Sequence, residues 1–129
     1  MQIEHIAIWT TDIERMKDFY CRYFAAVPSE KYINPKKHFQ SYFLSFEKGP
    51  RLELMQMKDV PATANDIYKQ FTGLIHFAIS VGNEETVKDL TAELVRNGFE
   101  LIDGPRWTGD GYFESVVLDP EKNRIEITI

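Results

Sequence analysis

A single cysteine in 129 residues excludes an internal disulfide, so this fold must be held by its core rather than by covalent staples. Cys21 sits in an apolar helical pattern and reads as a small core residue rather than a nucleophile. Positive charge is also scarce. Fifteen Lys and Arg against twenty Asp and Glu leave a net charge of −5, which argues against a nucleic-acid surface, and Lys36-Lys37 is too short a cluster to change that. No apolar run approaches the ~20 residues needed to span a bilayer, so no membrane role is expected. Met1 leads straight into a strand pattern with no basic leader and apolar stretch, which makes the cytoplasm the expected location. Compact metal motifs such as His-Glu-x-x-His are missing too.

What is present is a core and a repeat. With 43% hydrophobic and 13% aromatic residues the chain suffices for one compact domain and is too short for two ordinary ones, so two half-size modules are expected within residues 1–129. Ile3-Glu4-His5-Ile6-Ala7-Ile8 is echoed by Leu74-Ile75-His76-Phe77-Ala78-Ile79. Arg51-Leu52-Glu53-Leu54-Met55 is echoed by Arg124-Ile125-Glu126-Ile127-Thr128 in nearly the same register. Each half therefore opens on a histidine in an apolar run and closes on a glutamate in another.

Module 1 spans about residues 1–57, a connection follows over 58–73, and module 2 runs from 74 to 129. In the first, a strand over 3–9 precedes a helix that Thr11-Asp12-Ile13-Glu14 opens as a capping box, with Ile13, Met16, Phe19, Tyr20, Tyr23 and Phe24 on one face. A weakly signalled strand near 31–33 and clearer ones over 40–46 and 51–57 complete it. A short helix is expected around 65–71. Module 2 repeats the plan: a strand over 74–81, a helix over 84–96 capped by Asn83, and strands over 99–102, 112–118 and 124–129. The pattern in each half is β-α-β-β-β, an α+β fold.

Side chains alternate along a strand, so a polar residue in an apolar run reveals which face is special. His5 shares a face with Ile3, Ala7 and Trp9, and His76 with Leu74, Ala78 and Ser80. The opposite faces suit packing beneath the helices. Glu53 and Glu126 likewise face away from Leu52-Leu54 and Ile125-Ile127. A carboxylate in an apolar strand is costly to bury alone, and a cation is an effective partner. Imidazole nitrogen and carboxylate oxygen suit Zn²⁺, Ni²⁺, Co²⁺, Fe²⁺ or Mn²⁺, without choosing among them. His5, Glu53, His76 and Glu126 are thus the candidate ligands of one divalent ion, with positions left open for water or substrate. Taken singly, each has an ordinary alternative: a hydrogen-bonded histidine or a solvated glutamate.

With the Phe19-Tyr20 pair and Asp119-Pro120-Glu121-Lys122-Asn123 ahead of Ile-Glu-Ile, these motifs resemble the vicinal oxygen chelate superfamily, the glyoxalase I, fosfomycin-resistance and bleomycin-resistance group, over essentially the whole chain. The resemblance implies two tandem βαβββ modules forming a curved-sheet cup around a divalent metal that holds adjacent substrate oxygens. It also implies a homodimer. Its ligand set of two His and two Glu is closest to glyoxalase I, in whose reaction a base removes a proton beside a carbonyl and returns it at the neighbouring carbon. By that resemblance Glu126 or Glu53 is the base. The expected enzyme is a lyase or isomerase acting on a small α-oxo or hydroxycarbonyl compound, such as a hemithioacetal. A sequestering protein without turnover and a thiol transferase of the fosfomycin-resistance type are the alternatives.

The departures concern the substrate. Where similar bacterial enzymes hold glutathione with a basic residue and an Asn, this chain has Trp9 and Met57. Trp9, Phe43, Met55, Met57 and Phe113 would line a largely apolar pocket, with Phe43 and Phe113 equally readable as core. Arg106 is a candidate anion contact on a loop, or else a solvated charge.

Overall fold

The apolar stripes become two helices laid on two sheets in the computed structural model, which describes all of residues 1–129. The chain divides into two compact units, Met1–Thr63 and Ala64–Ile129. No helix is long and apolar enough to cross a membrane.

In the first unit β1 (His5–Trp9) is followed by α1 (Ile13–Phe24), β2 (Val27–Pro28), β3 (Tyr32–Asn34), a 3-10 turn at Pro35–Lys37, β4 (Phe39–Ser45) and β5 (Arg51–Met57). Their order in the sheet is β1-β5-β4-β2, with β3 also on β4, and β1 runs parallel to β5. Helix α1 buries Ile13, Met16, Phe19 and Tyr20 and packs on β4 and β5, where Leu44, Leu52 and Leu54 are buried. Full burial of side chains of this size is worth roughly 1.5–3 kcal/mol each. Cys21 is half-buried, and desolvation pushes its thiol up, which disfavours the reactive thiolate.

The helix cap departs from the expected box by one residue. Asp12, not Thr11, is the N-cap, and its carboxylate accepts from the Arg15 amide at 3.0 Å. The reason lies across the unit: the Thr11 carbonyl accepts from Gln56 on β5 at 2.8 Å, and Gln56 in turn accepts from the Ile13 amide at 3.2 Å. Farther along α1, Glu14 accepts from Lys17 and Lys31, each at 2.9 Å, and from the Tyr42 hydroxyl at 3.1 Å. Lys31 first and Lys17 second hold its carboxyl down at about 2. A depressed carboxyl stabilises the fold above its ordinary value and loses that contribution as pH falls through the folded value. Glu14→Gln should therefore lower stability at pH 7 by about 1 kcal/mol or less, given the exposure of the pair. In thermal melts the gap between the two proteins should close as pH falls from about 5 towards 2.

The second unit contains β6 (Phe77–Ser80), α2 (Glu84–Arg96), β7 (Leu101–Trp107), β8 (Phe113–Leu118) and β9 (Arg124–Thr128), in the sheet order β6-β9-β8-β7. Asn83 caps α2 as expected, accepting from the Thr86 amide at 2.9 Å. Gly98 has φ +87°, the left-handed conformation that ends such a helix. Val87, Thr91 and Leu94 face the sheet, and the Thr91 hydroxyl meets that of Ser115 at 2.6 Å. Residues 65–71 form turns rather than the expected helix. Arg124 donates to the Ile67 carbonyl at 2.7 Å and to that of Lys69 at 3.4 Å, so these two carbonyls take a tertiary partner in place of helical ones.

Candidate active site

Strand register carries His5 and Glu53 to one place. In the parallel β1–β5 pair Ala7 lies opposite Glu53, so His5, two residues earlier, stands on the same face. Its Nε2 is 3.7 Å from Glu53 Oε2. Phe43 lies opposite Glu53 on β4, and its ring meets the His5 ring edge-on at 5.4 Å. Glu53 keeps 15% of its side-chain surface exposed.

The second unit reproduces the couple. Ala78 lies opposite Glu126 in the parallel β6–β9 pair, and His76, two residues earlier, places Nε2 3.2 Å from Glu126 Oε2. His76 stands just outside β6, since this strand is shorter than the sequence suggests. No three or more His, Cys, Asp or Glu side chains lie close enough together to hold a metal. Each couple has the separation and the donor types, one imidazole nitrogen and one carboxylate oxygen, that two ligands of a common ion can have. Two donors each about 2.1 Å from one ion can be separated by up to about 4.2 Å, which covers both couples.

Other expected residues fall on both sides of the sheets. Trp9, Met55 and Met57 share the His5–Glu53 face, Trp9 being exposed and both methionines half-buried. Phe39, opposite Met57, joins them and holds the Trp9 ring edge-on at 6.1 Å. Phe113 does not belong with Glu126. It is 4% exposed and has the parity of Ser115 and Val117 on the side that meets α2, where the Lys88 ammonium lies 5.2 Å from its ring. The core alternative therefore holds for Phe113. Arg106 is in β7 rather than a loop, where its guanidinium donates to Asp103 and stands 3.8 Å from Glu114. Two carboxylates already balance this charge, so it is a poor free anion contact.

Glu114 is the residue sequence reasoning missed. It pairs with Thr128, while its neighbour-but-one Val116 pairs with Glu126, which puts Glu114 and Glu126 on one face as diagonal neighbours. The repeat does not mark it, because its counterpart in the first unit, opposite Met55, is Ser41. A carboxylate within the apolar run 113–118 was the available signal. Burial, with only 14% of the side chain exposed, pushes its carboxyl up, and the Glu126 charge adds to this. A raised carboxyl costs the folded state nothing below its ordinary value and most above its folded value. In metal-free protein Glu114→Gln should thus raise the melting temperature by a few degrees at pH 7, the gain fading as pH falls towards 4.5.

The chain resembles known folds throughout its length. The trypanothione-dependent glyoxalase I of Leishmania major superposes with TM-score 0.76 at 24% identity, covering 98% of this chain and 85% of that one. A glyoxalase family protein from Enterococcus faecalis gives 0.78 at 22%, covering 99% and 97%. A glyoxalase I mutant from Zea mays gives 0.78 at 23%, covering 98% of this chain and 44% of the maize chain. At these identities the likeness is one of fold. No curated protein sequence matches. The family model described as Glyoxalase/Bleomycin resistance protein/Dioxygenase superfamily matches residues 2–127. With its two mixed sheets, each carrying one helix, and a model match over nearly its whole length, the chain belongs to the glyoxalase/bleomycin resistance protein/dioxygenase superfamily.

Proposed function

We propose that the protein is a glyoxalase-like enzyme in which His5, Glu53, His76 and Glu126 together hold one divalent ion and catalyse proton transfer on a small α-oxo or hydroxycarbonyl substrate. The observation that carries this reading is the recurrence, in each unit, of a histidine Nε2 facing a glutamate oxygen at the same strand register. A full ligand set needs one couple from each unit, from one chain or from two copies, and a homodimer belongs to the proposal. The ion, when bound, supplies Lewis-acid stabilisation of negative charge on adjacent substrate oxygens.

The chain's residues do the rest. Glu126 or Glu53 removes the proton beside the carbonyl and returns it to the neighbouring carbon, a carboxylate within reach being a sufficient base once the resulting charge is stabilised. Trp9, Phe43, Met55 and Met57 receive the apolar part of the substrate and shield the reacting carbons from water. Such a lining favours a compact apolar adduct over one that presents several carboxylates. Cytoplasmic action fits a chain with one cysteine and no apolar span.

Elemental analysis should find about one divalent ion per chain, and turnover of hemithioacetals of methylglyoxal, with glutathione and with smaller thiols, should stop on chelation. Metal-free protein, or turnover indifferent to chelator, would sink the proposal. Ligand binding unaffected by chelator and without turnover would favour sequestration instead.

A further inference from the structure

An imidazole has two nitrogens, and the partner of one decides what the other can do. The Glu4 carboxylate accepts from His5 Nδ1, and its second oxygen accepts from the Arg51 guanidinium. Arg51 is the residue opposite His5 across β1 and β5. Its guanidinium lies 4.1 Å from the centre of the Phe43 ring, the same ring that meets His5 edge-on. Glu4, Arg51 and Phe43 thus close a circuit around the imidazole and leave Nε2 directed at Glu53.

An ionised carboxylate only accepts hydrogen bonds, so the proton of a neutral His5 must be on Nδ1 and the lone pair on Nε2. Nothing in the repeat requires this. The counterpart of Glu4 is Ile75, which has no side-chain acceptor, and the counterpart of Arg51, Arg124, is spent on the Ile67 and Lys69 carbonyls. The two candidate ligand histidines are therefore held differently.

We propose that Glu4 is a positioning residue that fixes His5 as its Nδ1–H tautomer and aims the Nε2 lone pair at the divalent ion. The proposal rests, for the ion, on the function proposed above, and its first readout needs no metal. Nitrogen-15 NMR of metal-free protein with labelled histidine, at about pH 8.5 where an ordinary imidazole is neutral, reports each tautomer directly. Wild type should show His5 protonated at Nδ1, and Glu4→Ala should shift it towards Nε2–H while leaving His76 unchanged. Zn²⁺ affinity, measured by competition with a chromophoric chelator, should fall about 10- to 100-fold in Glu4→Ala. Glu4→Gln, whose amide oxygen still accepts from Nδ1, should recover most of both effects.

An unchanged tautomer in Glu4→Ala overturns the inference, as do equal losses in Glu4→Gln and Glu4→Ala, which would place the effect in lost charge rather than in the hydrogen bond. A wild-type chain that binds no Zn²⁺ yet shows the tautomer shift would overturn the metal reading and uphold the hold of Glu4 on His5.

Discussion

Alanine at His5 or glutamine at Glu126 is expected to remove turnover altogether, and His5→Ala to weaken divalent-metal binding by about 100-fold or more. Losing a direct ligand removes one of the four proposed donors. Glu126→Gln keeps an oxygen but loses the charge that a divalent ion needs and the basicity that proton abstraction needs. Folding should survive both changes. His5 is exposed, and Glu126 on its strand stands opposite to the buried Ile125 and Ile127. Elemental analysis, turnover and a thermal melt on the same preparations separate these effects. Full metal content in variants at all four positions would remove the site. Retained metal after Glu53→Ala would instead point to a three-ligand centre and thiol-transferase chemistry.

Gly104→Ala is expected to be the most damaging small substitution, costing about 2–5 kcal/mol. Two costs combine there. Gly104 has φ +79°, a conformation that L residues adopt with strain, and an added Cβ would stand 2.5 Å from the Glu114 carbonyl oxygen and 3.0 Å from Ser115 Cα. Those atoms are backbone of the adjoining strand and cannot swing away. Gly98, at φ +87° with open space around it, supplies the comparison. Gly98→Ala should show only the conformational cost, about 1 kcal/mol. A drop in melting temperature on the order of 10 °C for Gly104→Ala and far less for Gly98→Ala would establish the steric part. Equal shifts would mean that β7 and β8 separate freely at this point. The position matters for the site too, because the β7 bulge between Asp103 and Arg106 is what brings Arg106 opposite Glu114.

Much of this arrangement is legible along the chain. Alternation alone places His5 with Trp9 and Glu53 with Met55 and Met57, and the repeat carries the assignment to His76 and Glu126. Helix α2, its Asn83 cap and the left-handed Gly98 follow from local rules, because capping and helical periodicity depend only on residues a few positions apart. Asp119 likewise fulfils the turn chemistry of its segment, accepting from the Glu121 and Asn123 amides, each at 2.9 Å.

The tertiary structure decided whatever depends on pairing between distant segments. Thr11 loses the cap of α1 to Asp12 because Gln56, more than forty residues away, claims its carbonyl. Residues 65–71 form a turn and bends in which Arg124, more than fifty residues away, takes the carbonyls of Ile67 and Lys69. Phe113 and Glu114 are adjacent in one strand, yet only its register against β9 tells which of them joins Glu126 and which lies under α2. Alternation is a property of each strand taken alone, and it sorts residues into two faces. Register is a property of two strands together, and it sets the contacts within each face, so the sequence by itself named the four candidate ligands and only the fold supplied the Glu4 contact with His5, the place of Glu114 beside Glu126 and the approach of Arg106 to Glu114.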